Sequence, residues 1–288
     1  MMADQSRRGQ AAWAPTIVVP LDGSEHALVA LPIARVLAEL EKASLHVVHV
    51  GKRVLPPQQL LRTLGLSPEQ FRGSVIDQAI GSPAQGIVQL AREWQSALIV
   101  MCTYTALPQP GVGLGRVAEE VLATAPCPVV LVSPERGLQP WALRQIVVPH
   151  DGTPTTDAAI HPAVDLAEQA DAELLVLHVA APGASLPTEP GTVTAPRYLD
   201  QPQHEWPSWV HEFVGRFRGL GHVPGAVPLH LFLATGEPAD AIVRFVRDHQ
   251  SDLIALAWRG HLEEKRAATL KAVITAAPCP VMVTRVEA

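Results

Sequence analysis

The segment MCTYTALPQPGVGLGRVAEEV, residues 101–121, has residue types and spacing suited to holding an anion. Gly111, Gly113 and Gly115 cluster between an apolar run, ALIV, and a helix-like pattern. Glycines let backbone N–H groups come close to a phosphate, and the N-terminus of a following helix complements its charge. Arg116 follows the last glycine. Its guanidinium could clasp phosphate oxygens, or it could be a solvated first-turn arginine. Cys102, Tyr104 and Thr105 crowd the entrance with side chains. Asp22 in LDGSE and Asp151 in HDGTP each suit a turn with a following Ser or Thr as cap.

Other chemistry is thinner. Twelve histidines invite a metal, with His46 and His49, or His150 beside Asp151, as the nearest clusters. There is no His-Glu-x-x-His and no paired cysteine ligand set, so no metal is expected. Neither a Gly-x-Ser-x-Gly elbow nor a Walker loop is present, and no catalytic residue is assigned. Cys127 and Cys279 lie between prolines and read as small fillers. Cys102 sits at the mouth of the presumed cleft, where a helix dipole could lower its pKa and give it a thiol-sensing role.

These groups must be positioned by a chain that is written twice. TIVVPLDGSEHALVALPIARVLAELEKASLHVVHV from Thr16 matches QIVVPHDGTPTTDAAIHPAVDLAEQADAELLVLHV from Gln145 at an offset of 129. GSPAQGIVQLAREWQSALIV matches GEPADAIVRFVRDHQSDLIA at an offset of 155, and TAPCPVVLV matches AAPCPVMVT at 152. The second copy is therefore 26 residues longer in its middle and 3 shorter near its end. A period this long marks a duplicated domain and not a solenoid. Within each copy, brief β-branched runs (TIVVPL, SLHVVHV, VIDQAI, ALIVMC, VVLV) alternate with amphipathic stretches, with Ser24 placed as an N-cap. Strands apolar on both faces, separated by helices, predict a parallel sheet covered on each side. His49 and His178 hold equivalent strand positions, so both are expected to be structural. The domain reading is a tail over 1–14, a first domain over 15–134, a linker over 135–144 and a second domain over 145–288. A Pro-rich insert at about 181–207 reads as a surface loop, with Trp206, Trp209 and Phe213 as anchors, before a helix at WVHEFVGRF.

Composition excludes several classes. The chain has 288 residues, 48% of them hydrophobic, and a net charge of -6. That balance argues against a nucleic-acid surface, and the 5% aromatic content removes stacking platforms. Three separated cysteines point to a reducing cytoplasm. The N-terminus lacks the apolar core of a signal peptide, and no apolar run approaches the ~20 residues of a membrane span.

The blocks IVVPLDGSEHALVAL, LHVVHV, GSPAQGIVQLA and GRVAEEVLATAPCPVVLV, with their second-half counterparts, resemble the universal stress protein family in a tandem form. The resemblance implies two α/β domains, each a five-stranded parallel sheet with helices on both faces, Rossmann-like in type. It also implies a nucleotide site at the carboxyl ends of strands one and four, with a G-x₂-G-x₉-G-[S/T] phosphate motif. In the first copy Cys102 and Thr105 fall on the first two glycine positions, Gly115 on the third and Arg116 on the last. By this resemblance Asp22, Val50, Met101, Thr105, Gly115 and Arg116 are the candidate nucleotide residues. In the second copy Ala257 and Gly260 fall on the first two positions and Ala267 and Ala268 on the last two, after a six-residue loop carrying Glu263 and Glu264. Asp151 and Gly260 are its degenerate equivalents, and that site reads as lost. The expectation is a cytoplasmic stress-response protein that acts by binding a protein partner, without catalysis and with degenerate nucleotide sites in both domains. Its final strands VVLV and VMVT would pair within the chain, and the whole would form a homodimer. The alternative is a regulator that binds ATP or AMP in the first domain only.

Overall fold

The computed structural model describes residues 14–67, 69–104, 114–151, 154–180, 224–259 and 265–286. In the first half, β1 (Thr16–Pro20), β2 (Ser44–Gly51), β3 (Ser74–Ile80), β4 (Leu98–Cys102) and β5 (Val129–Val132) alternate with helices. A 3₁₀ turn over His26–Val29 leads into α1 (Ala30–Leu40), followed by α2 (Pro57–Leu64), α3 (Pro83–Glu93) and α4 (Arg116–Thr124). The second half runs β6 (Gln145–Pro149), α5 (Pro154–Asp157), α6 (Ile160–Ala170), β7 (Glu173–Ala180), β8 (Leu229–Thr235), α7 (Pro238–His249), β9 (Leu253–Trp258), α8 (Lys265–Ala276) and β10 (Val281–Arg285). The insert and the WVHEFVGRF helix lie outside the described residues.

Each half is a parallel five-stranded sheet, and the two are one ten-stranded sheet in the order β3-β2-β1-β4-β5-β10-β9-β6-β7-β8. Ile17, Val18 and Val19 of β1 are all fully buried, which is why the strand shows no apolar–polar alternation. One core layer lies under α1 and α6, the other under α3, α4, α7 and α8. Helix α1 buries Ala30, Leu31, Ile33, Ala34, Leu37 and Ala38, the stripe that a 3.6-residue period dictates.

The final strands meet at the centre. β5 and β10 pair antiparallel, with Leu131 opposite Val281, Val130 opposite Met282 and Val129 opposite Val283. All six side chains are buried, so the joint is a core and not a surface contact. Lys271 of α8 reaches Glu119 of α4 across it at 2.7 Å. The connection after β5 is tied to the second half through Asp252. Its Oδ2 accepts from the backbone N–H groups of Arg144 and Gln145 at 2.9 and 3.1 Å, while Trp141 Nε1 donates to its carbonyl at 3.0 Å.

Helix α2 was absent from the sequence reading, although its punctuation is ordinary: Pro57 opens it and Gly65, at φ 65°, closes it. It buries Leu60 and Leu64. Its C-terminal turn also presses on the β1–α1 turn, because a β-carbon on Gly23 would stand 2.3 Å from the Thr63 carbonyl oxygen. Among the described residues, no helix is long and apolar enough to cross a membrane.

Candidate functional site

The carboxyl ends of β1 and β4, and of β6 and β9, are where an open α/β sheet leaves room for a ligand. The duplication is visible there in hydrogen bonds. His49 Nδ1 bonds the Leu21 carbonyl at 3.0 Å, and His178 Nδ1 bonds the His150 carbonyl at 3.0 Å. A carbonyl can only accept, so each histidine carries its proton on Nδ1. Leu21 N–H donates to Val48 O and His150 N–H to Leu177 O, both at 2.9 Å. These two histidines are thus strand-end braces, as their equivalence suggested. His46 bonds Asp77 at 2.8 Å instead. Among the described residues, no group of three His, Cys, Asp or Glu is placed to hold a metal.

In the first domain Asp22 Oδ1 accepts from Ser24 N–H at 2.9 Å, and Ser24 Oγ accepts from Ala27 N–H at 3.2 Å. Ser24 is therefore not the N-cap of α1, which is Val29, nor of the preceding 3₁₀ turn, which is Glu25; its hydroxyl bonds the second residue of that turn. Val50, half-buried at the end of β2, faces Gly86 of α3, and Met101 is buried in β4. Gly115 is the N-cap of α4, but its N–H is already engaged, donating to Thr103 O at 2.7 Å. Arg116 opens α4 with its side chain 90% exposed and its Nε on Glu120 Oε1 at 2.8 Å, which follows the solvated-arginine alternative. Thr105 lies outside the described residues.

Cys102 corrects the expectation of a helix-activated thiol. It is buried, and its Sγ–H donates to Tyr104 O at 2.9 Å. Burial pushes the thiol up to about 11, and the Tyr104 bond offsets only part of that. Burial likewise pushes Cys127 and Cys279 up to about 12, consistent with inert packing residues.

The second domain holds a cleft of about 310 Å³ at the ends of β6, β7 and β9. Leu177, Val179, Leu256, Ile242, Leu270 and Val273 form its apolar side; His150, Asp151, Thr155 and Thr156 form a polar wall, with Arg259 and Thr269 at the rim. Val179 and Leu256 are the equivalents of Val50 and Met101, at offsets of 129 and 155. The sequence singles out His150, Asp151, Ala257 and Gly260 here but not Val179 and Leu256, although the same offsets locate them. Gly260 lies outside the described residues. Ala267, opposite Gly115 in the alignment, is inside α8, which begins at Lys265, so the N-cap position itself has moved. Asp151 accepts from Thr156 Oγ1 at 3.0 Å. Just behind, His150 Nε2 bonds Asp157 Oδ1 at 2.8 Å with its side chain only 5% exposed. Burial lowers the His150 pKa below its ordinary value, and the Asp157 bond works against that shift. Thr103 and Trp258, at equivalent positions, each keep a buried polar atom (Oγ1 and Nε1) without a hydrogen-bond partner among the described residues.

Comparison with known proteins agrees with this architecture. The model of the universal stress protein family matches residues 15–133 and again 142–285. A universal stress protein of Thermus aquaticus is 32% identical over 136 residues, covering 41% of this chain and 97% of its own. One from Methanocaldococcus jannaschii is 26% identical over 147 residues, covering 49% and 82%. The crystal structure of a universal stress protein from Archaeoglobus fulgidus superposes with a TM-score of 0.64 at 16% identity, covering 94% of this chain and 98% of that one, which is a likeness of fold. With the family pattern met twice and nearly end to end, the chain belongs to the universal stress protein family.

Proposed function

We propose that this universal stress protein acts in the stress response by binding and not by catalysis, and that its small-molecule site is the second-domain cleft. The carrying observation is the 310 Å³ cleft at the strand ends, apolar along the sheet and helices and polar along the β6–α6 turn. Its volume is at the low end of the ~300–1,000 Å³ typical of small-molecule sites. That suits a nucleoside, with its planar base and hydroxyl-bearing sugar, better than a nucleoside triphosphate. In the first domain, support for a closed phosphate end comes from the engaged Gly115 amide and from Arg116 turned to Glu120. Among the described residues, engaging those donors leaves a polyphosphate few contacts, since backbone N–H groups and a free guanidinium are what such a site uses. The ligand state would then be communicated to a protein partner, in the cytoplasm, by a chain that already contains one fused domain pair and can form a homodimer.

Calorimetric titration of the full chain with adenosine, AMP and Mg-ATP tests this. One equivalent of adenosine bound per chain, weakened by Val179→Asp and indifferent to Gly115→Asp, is the expected result. Binding of Mg-ATP abolished by Gly115→Asp would instead move the site to the first domain, and turnover of ATP would make the protein an enzyme.

A further inference from the structure

The two copies differ behind the polar wall in a paired way. At the end of β1 and in the following turn, the first copy places Leu21 and Leu28, both buried in the core layer under α1. At the same positions, offset by 129, the second copy places His150 and Asp157, joined at 2.8 Å. Exchanging buried apolar side chains for a hydrogen-bonded His–carboxylate pair does not by itself stabilise a fold, because desolvation offsets the attraction. Breaking such a pair by losing one member is costly, so the two residues are tied to each other. Both changes fall in the second copy, and His150 itself lines the cleft there.

The geometry shows what the pair can do. Asp157 is the last residue of α5, a single turn that also carries Thr155 and Thr156. Thr156 in turn donates to Asp151. From the sheet side, the His150 backbone is fixed twice, by Leu177 O on its N–H and by the His178 ring on its carbonyl. The imidazole–carboxylate bond therefore ties a rigid strand end to the short turn that forms the polar wall. We propose that His150 and Asp157 are positioning residues that hold Asp151, Thr155 and Thr156 in place for the hydroxyl groups of a nucleoside-class ligand, and that they make its capture depend on pH. The inference rests on the nucleoside reading of the cleft. Among the described residues, the titratable groups facing the imidazole are Asp157 on α5, Asp151 in the turn and His178 on β7. When His150 is neutral its proton lies on Nε2, toward the carboxylate. Protonation places a charge on a buried ring, a desolvation cost that the Asp157 carboxylate offsets only in part, and this disturbs the wall.

The first copy supplies the test variant. His150→Leu with Asp157→Leu restores the apolar pair that the same backbone accommodates at Leu21 and Leu28. Adenosine is titrated into the full chain at pH 7.5 and pH 5.5, and a thermal melt checks folding. The wild type should bind more weakly at pH 5.5, by about threefold or more. The double variant should melt cooperatively, bind at least tenfold more weakly at pH 7.5, and show no pH step. Should it fail to fold, His150→Gln keeps an N–H donor for Asp157 but cannot take up a proton, and it must lose the step. A double variant that binds as the wild type does, or a pH step that survives His150→Gln, overturns the inference while leaving the cleft a binding site. A wild type that takes up neither adenosine nor AMP overturns both.

Discussion

Gly23 lies between Asp22 and Ser24, with φ at +93°, and its would-be β-carbon is 2.3 Å from the Thr63 carbonyl oxygen of α2. Gly23→Ala therefore combines two penalties. A left-handed backbone costs an L-residue about 1–2 kcal/mol, and forcing a methyl into packed backbone adds about 1–3 kcal/mol. The obstacle is a carbonyl and not the tip of a flexible side chain, so α2 or the turn must move. Gly73 provides the control: its φ is +78°, but nothing lies within 4 Å of its would-be β-carbon. Gly73→Ala should carry the backbone penalty alone. Both substitutions reduce the freedom of the unfolded chain alike, so that term cancels in the comparison. At ~2–4 °C per kcal/mol for a protein of this size class, Gly23→Ala should melt roughly 2–12 °C below Gly73→Ala. The assay is paired thermal melts by circular dichroism, at equal concentration and scan rate. Equal melting temperatures for the two variants would refute the close contact between α2 and the first-domain turn.

Three further outcomes follow from the geometry. Cys102 should react with iodoacetamide at pH 7.5 on the order of a hundredfold more slowly than an exposed cysteine, given its raised pKa and burial; mass-spectrometric labelling at an ordinary thiol rate would contradict this. His150 has its pKa lowered by folding, so the unfolded chain takes up that proton first. Its contribution to stability is whole above about pH 6.5 and is lost as the pH falls through that value toward the lower folded one, a slope that urea titrations should find reduced in the double-leucine variant. Asp252→Ala removes the acceptor of the Arg144 and Gln145 amides and should cost about 1–3 kcal/mol, seen as a lower urea midpoint; an unchanged midpoint would mean water replaces the carboxylate.

Much of this molecule was legible in one dimension. Duplication shows as recurring offsets, and runs such as TIVVP and VVLV read as doubly buried parallel strands because parallel sheets leave no solvent-facing side. The candidate site was legible in position more than in state. Asp22, Val50, Met101 and Gly115 do stand at the strand ends, but which donors are free depends on partners distant in sequence or on the rotamer a side chain takes. Gly115 spends its amide on Thr103, twelve residues earlier, and Arg116 turns along its own helix to Glu120. Local composition pointed to the first copy, whose phosphate loop keeps the fuller pattern, whereas the cleft described in the second copy depends on how β6, β7, β9, α7 and α8 enclose space.

The sequence by itself determined that there are two α/β domains, where their strands and most helices run, and which positions correspond between them. Hydrophobic period and the local rules of turns and caps carry that information within a dozen residues. Only the tertiary structure decided the antiparallel register that joins β5 to β10, that α2 presses on the Gly23 turn, and that His150 is joined to Asp157. Hydrogen-bond pairing, burial and enclosed volume belong to groups brought together from different elements, and no window along the chain contains them.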